Sequence, residues 1–156
     1  MNEQRRLILK AGGGLGVLAL AYAAGLLKPG SALAADWNKT AFEARSMEGV
    51  LKAVGGSAPA ESKEIELSAP DIAENGAVVP ITIESKLPKT QSIAILVEEN
   101  PGALSAQYDI PEGTDPYVMT RVKMGQTSKV VALVKADGKY YFTTKEVKVT
   151  LGGCGG

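Results

Sequence analysis

From Ile65 onward the hydrophobic period of this sequence switches to two, and the expected fold follows from that switch. Seven short β-like runs appear in order: "EIELS", "AVVPITIES", "SIAILVEE", "LSAQYDI", "YVMTRVKM", "KVVALVKA" and "KYYFTTKEVKVTL". Turn residues separate them: Asn75-Gly76, Pro88, Asn100-Pro101-Gly102, Pro111-Glu112-Gly113, Gly125 and Asp137-Gly138. Asp137-Gly138 is the strongest hairpin signal, because both central residues of a type I′ turn need positive φ. Seven short strands at this spacing predict a mainly β, immunoglobulin-like β-sandwich. Pro80 lacks a backbone donor, so its run is expected at a sheet edge or in a bulge.

Ahead of the strands, Thr40-Ala41-Phe42-Glu43 reads as a capping box with Thr40 as N-cap. Phe42, Met47, Val50, Leu51 and Val54 form an apolar stripe, and Gly55-Gly56 stops it. One amphipathic helix over about 40–54 is expected, followed by the linker "SAPAESKE". Two runs, Ile93 to Val97 and Val130 to Val134, are apolar without alternation. Such runs need cover on both faces. The helix can supply the second cover, and so can a partner subunit.

The first 34 residues have the layout of an export signal: a charged start, an apolar stretch from Ala11 to Leu27, and the small-residue site Ala32-Leu33-Ala34. Arg5-Arg6 followed by Leu7-Ile8-Leu9-Lys10 resembles the twin-arginine pattern. An uncleaved anchor is the alternative, since the stretch sits at the lower edge of a membrane span. The well-placed cleavage site favours removal, which leaves no stable membrane span. The segment carries Arg5, Arg6, Lys10 and Lys28 against Glu3 alone, so cleavage leaves a mildly acidic periplasmic chain. Twin-arginine export moves folded proteins, often with a cofactor or partner subunit attached. The expected organisation is a signal over 1–34, a helix plus β-sandwich over 35–151, and an arm over 152–156.

Residue content excludes several function classes. Seventeen basic residues balance 17 acidic ones, so no basic stripe suggests nucleic acid. The chain has no histidine, which removes Ser-His-Asp and Cys-His catalysis and imidazole metal sites. One cysteine builds neither a zinc nor an iron–sulfur site. Glu98-Glu99 is not a carboxylate pair, because adjacent strand residues point to opposite faces. Glu112 and Asp115 sit between Pro111 and Pro116 in a polar turn.

What remains is the terminus "VKVTLGGCGG". Alternation of Val147, Val149 and Leu151 against Lys148 and Thr150 marks the last strand. Gly152-Gly153, Cys154 and Gly155-Gly156 follow. Three residues past the strand, the thiol sweeps a radius of about 10 Å. Glycines keep such an arm thin and conformationally free. No cation lies within it, so the thiol keeps a pKa near ~8.5 and is mostly protonated at neutral pH. That suits a handle on which other proteins act. An odd cysteine in an exported protein also fits a disulfide-linked dimer. A prenylation box needs aliphatic residues after the cysteine and does not match.

The terminus "GGCGG", together with "MGQTS", "VKADGKYYFTTKEVKVTL" and "DIAENGAVVPITI", resembles the SoxY family. Members of that family are sulfur carriers of the bacterial thiosulfate-oxidising Sox system. The resemblance implies a heterodimer with a SoxZ-like β-sandwich subunit. It implies that a haem c enzyme couples thiosulfate to Cys154 as an S-thiosulfonate and that a dimanganese hydrolase releases sulfate. Where a molybdenum–haem sulfane dehydrogenase is present, it oxidises the remaining sulfane sulfur. The carrier would bind no cofactor, only covalent sulfur adducts on Cys154, with Gly152, Gly153, Gly155 and Gly156 forming the flexible arm. Two rivals stand beside this reading: a periplasmic immunoglobulin-like binding module without chemistry, and a thiol-dependent redox or metal chaperone.

Overall fold

The computed structural model describes residues 38–56 and 58–150. Among the described residues two short helices come first, α1 (Lys39–Glu43) and α2 (Met47–Ala53). Nine strands follow: β1 (Ala60–Glu61), β2 (Ile65–Ser68), β3 (Ile72–Ala73), β4 (Val79–Ser85), β5 (Thr90–Val97), β6 (Leu104–Asp109), β7 (Tyr117–Val122), β8 (Ser128–Ala136) and β9 (Lys139–Val149). A 3₁₀ turn, Gly76–Val78, leads into β4. The seven runs read from sequence are β2 and β4 to β9. The two-residue strands β1 and β3 carry no periodic signal and are legible only in three dimensions.

The strands form a two-sheet, immunoglobulin-like sandwich. The larger sheet has the order β1-β9-β8-β5-β6, with β3 also pairing to β9. The smaller sheet has the order β2-β4-β7. All the long pairings are antiparallel, whereas β1 and β3 run parallel to β9. The β8–β9 hairpin closes at Ala136↔Lys139, with Asp137 at φ 47° and Gly138 at φ 75°. Those angles are the type I′ turn that the Asp-Gly pair encodes.

Two apolar layers flank the larger sheet. Ile93, Ile95, Val97, Val130, Ala132 and Val134 point into the sandwich and meet Ile81, Ile83, Val79 and Val118 of the smaller sheet. Ala94, Leu96, Val131 and Leu133 point the other way and pack against Ala41, Val50 and Leu51 of the helices. The two non-alternating runs are therefore covered on both faces within the chain. The expectation that Ile93 to Val97 or Val130 to Val134 contribute to a subunit interface is corrected, because their side chains are already buried. Each buried Val, Leu or Ile contributes about 1.5–3 kcal/mol.

The expected single helix over 40–54 is two. Ala44 is extended (φ −67°, ψ 136°), and its carbonyl accepts from Ala103 N–H at 2.8 Å across the β5–β6 connection. That bond takes the acceptor a continuing helix would use. Ser46 then caps α2 by accepting from Gly49 N–H. Thr40 is not the N-cap: Asn38 is, with its side chain accepting from Ala41 N–H at 3.1 Å and donating to Ala53 O at 3.1 Å. The helical stop occurs where the glycines placed it. Gly55 has φ 71°, Gly55 N–H donates to Lys52 O and Gly56 N–H to Leu51 O, a Schellman motif.

Pro80 needs a second correction. β4 is the central strand of its sheet. β2 stops at Ser68, opposite Thr82, so only β7 runs alongside Pro80. The missing donor is tolerated because the neighbour on one side has ended. Among the described residues no helix is long and apolar enough to cross a membrane.

Candidate functional site

Cys154, Gly152, Gly153, Gly155 and Gly156 lie outside the described residues, as does the segment over 1–34. What the structure describes is the end of the strand that precedes them, β9. β9 runs past the end of its partner: pairing with β8 stops at Ser128↔Val147. The next three residues are held from alternating sides. Lys148 N–H donates to Asp71 O at 3.0 Å, and Thr150 N–H donates to Ala73 O at 3.1 Å. Between them, Val149 N–H donates to the Thr127 hydroxyl oxygen at 3.0 Å.

Each piece of this collar is placed by a local rule. β3 pairs in register with β9, Ile72 with Lys148 and Ala73 with Val149. Behind it, the Lys145 ammonium pairs with Asp71 Oδ1 at 3.0 Å and donates to Ala69 O at 2.5 Å. Asn75 accepts from Ala77 N–H and starts the 3₁₀ turn. Gly76 is buried there because nothing larger fits: a Cβ would lie 2.8 Å from Val149 Cγ1 and collide with Met124 O. Met124 N–H donates to Gly76 O at 2.7 Å, which ties the turn to the connection between β7 and β8. Asn100 stiffens that connection, donating to Lys123 O at 2.7 Å and accepting from Gly125 N–H at 3.2 Å.

The collar offers backbone and hydroxyl hydrogen bonds that fix position. Glu98 and Glu99 lie exposed just past β5; Glu99 N–H donates to Ser128 Oγ, and its carboxylate accepts from Gln126 Nε2. Glu112 and Asp115 are exposed turn residues. Among the described residues two groups have displaced pKa values, and neither belongs to the collar. Burial raises the Tyr140 phenol, whose hydroxyl donates to Val54 O. The Glu66 carboxylate raises the Lys86 ammonium. Among the described residues no cluster of three or more His, Cys, Asp or Glu side chains is arranged to hold a metal ion.

Sequence reasoning missed Thr127 and the part of the collar over 71–76 as structural parts. Their stretches were quoted, "MGQTS" and "DIAENGAVVPITI", but only as marks of a resemblance. A lone threonine beside a strand end carries no periodic signal.

With the geometry in place, comparison with known proteins is direct. The sequence matches the family model of the sulfur oxidation protein SoxY over residues 51–154. The sulfur carrier protein SoxY from Chlorobium limicola f thiosulfatophilum has a similar structure, with a TM-score of 0.62 and 37% identity over 68% of this chain and 97% of that one. A superoxide reductase (neelaredoxin) from Ignicoccus hospitalis superposes with a TM-score of 0.50 at 15% identity, covering 55% of this chain and 80% of the other; that likeness is one of fold alone. A search of curated proteins finds no match. The family match spans two thirds of the sequence and ends on the cysteine of the arm, and the chain belongs to the SoxY family.

Proposed function

We propose that this protein is a covalent sulfur carrier in thiosulfate oxidation, with Cys154 as the attachment point. The observation that carries this reading is the reach of the family match, which runs through the last strand and includes residue 154. Loading joins the thiol to thiosulfate with loss of one proton and two electrons, giving Cys–S–S–SO₃⁻. The electrons pass to a haem c enzyme. Water then attacks the outer sulfur at a dimanganese hydrolase, releasing sulfate and leaving a persulfide on Cys154. A sulfane dehydrogenase, where present, oxidises that sulfur, and a second hydrolysis restores the thiol. The chain itself binds no cofactor in this scheme. It travels to the periplasm by the twin-arginine route, paired with a SoxZ-like subunit. The glycines at 152, 153, 155 and 156 let the thiol enter a narrow channel, where the partner must activate it.

Intact mass after incubation with thiosulfate and the coupling enzyme tests the reading. A carrier gains one thiosulfate group, and Cys154→Ser gains none. No mass change in the wild type is the outcome of a binding module without chemistry. A gain of metal or glutathione is the outcome of a chaperone. Either result would end the carrier assignment.

A further inference from the structure

Strands β6 and β7 each end a sheet, and they differ in what they show to solvent. Among the described residues β6 pairs with β5 alone and β7 with β4 alone. A recess of about 300 Å³, lined by Leu104 and Ala106 on one side and by Arg121 and Lys123 on the other, separates the two edges. β6 exposes Gln107 and Asp109, polar residues of the kind that keep an edge from pairing. β7 exposes Tyr117 at 50% and Met119 at 72%. Its backbone is set for pairing as well. Pro116 O accepts from Ser85 N–H at 3.0 Å, and the register runs on through Val118, Thr120 and Val122. Bonding alternates along an antiparallel strand, so these even-numbered residues turn their backbone groups to β4. Tyr117, Met119 and Arg121 turn theirs to the open edge. Tyr117 N–H is used at home, donating to Asp115 O at 2.8 Å.

We infer that this edge pairs with β7 of a second copy of the chain, antiparallel about a two-fold axis at Met119. From Asp115 to Lys123 the edge reads "DPYVMTRVK", acidic at one end and basic at the other. Turned on itself about Met119, Asp115 faces Lys123 and Tyr117 faces Arg121. Among the described residues Glu84, Asp115, Arg121 and Lys123 take part in no ion pair. Glu84 stands beside Tyr117 in the β4–β7 register. Arg121 of the second copy therefore lies over the Tyr117 ring with a carboxylate beyond it. A cation over an aromatic face and opposite charges across a strand pair both attract. At the axis the two Met119 backbones exchange hydrogen bonds, and each Arg121 N–H meets the facing Tyr117 carbonyl. The contact is isologous and closes at two copies. It is independent of the carrier reading.

Sedimentation velocity on the reduced chain tests the inference, and a monomer–dimer equilibrium is expected. Met119→Lys puts two ammonium groups together on the axis, where like charges repel, and should weaken the dimer about tenfold. Its melting temperature should hold, because the side chain is exposed. Asp115→Lys alone and Lys123→Asp alone each remove two exposed ion pairs and should weaken it about two- to thirtyfold. The double variant restores both pairs in the reversed sense and should return to wild-type affinity. On a Cys154→Ser background, Met119→Cys should form an oxidised dimer, because facing Cα atoms lie about 5.5 Å apart. Thr82→Cys should not, since its two copies lie three strand spacings apart, about 14–15 Å. A chain that stays monomeric up to about 1 mM, an unchanged dimer in Met119→Lys, a double variant as weak as its single ones, or equal cross-linking at Thr82 and Met119 would each overturn the inference. Substitutions that weaken only the binding of a SoxZ-like subunit would assign the edge to that partner and overturn it too.

Discussion

At the scale of single residues, Gly76 and Cys154 make opposite demands. Gly76 is determined by what surrounds it. A methyl group there meets Met124 O and Val149 Cγ1, and the backbone carbonyl cannot turn aside because Met124 N–H is bonded to Gly76 O. Gly76→Ala should therefore cost about 1–3 kcal/mol, the usual penalty of overpacking, measured as a shift in urea midpoint. Cys154 lies outside the described residues, and under the proposed carrier function its role is chemical. Cys154→Ser should change stability by less than ~0.5 kcal/mol and abolish sulfur loading. A thermal melt beside intact mass checks both halves of that expectation. A large loss of stability would mean that the thiol has a structural role.

At the scale of elements, α2 docks on the larger sheet through Val50 and Leu51 and through one polar contact, Tyr140 hydroxyl to Val54 O at 3.3 Å. Tyr140→Phe removes that bond and should cost about 0.5–1.5 kcal/mol. Burial raises the phenol pKa above its ordinary value of 10.0, because the site disfavours the phenolate. Below pH 10.0 folded and unfolded chains both hold the proton, and Tyr140 adds no pH dependence. As pH rises past 10.0 the unfolded chain releases it first, so this group's stabilising contribution is lost on the alkaline side. Denaturant titrations between pH 9 and 11 should show stability falling in the wild type, with a shallower fall in Tyr140→Phe. A steeper fall in the variant would place the effect elsewhere.

At the scale of the whole molecule, the larger sheet is a middle layer, with the smaller sheet on one face and the helices on the other. Leu96 is fully buried on the helix side of that layer. Leu96→Ala should cost about 2–5 kcal/mol of folding stability. Its affinity for a SoxZ-like partner, measured by calorimetry on the fraction that remains folded, should be unchanged. Weakened binding without loss of stability would show that these runs face the partner after all.

Much of this architecture was legible in the residues themselves. Alternation is a local property, so seven strands could be counted, and Asp137-Gly138 declared its own turn because positive φ is a property of those two residues. The stop at Gly55-Gly56 was readable for the same reason. The cysteine and its glycines were singled out by residue type alone and lie outside the described residues. Other features depend on partners distant in sequence. The helix breaks at Ala44 because Ala103, far along the chain, takes its carbonyl. Pro80 sits in a central strand because β2 ends early. The two apolar runs admitted either a helix or a partner subunit as cover, and hydrophobicity records that a face is buried without naming what buries it. The hold on the end of β9 depends on Thr127 and β3 meeting β9, a contact of hydroxyl and backbone that leaves no pattern in the sequence. Local chemistry determined the elements and their turns; tertiary contacts decided where one helix becomes two, which face covers which, and what holds the end of β9.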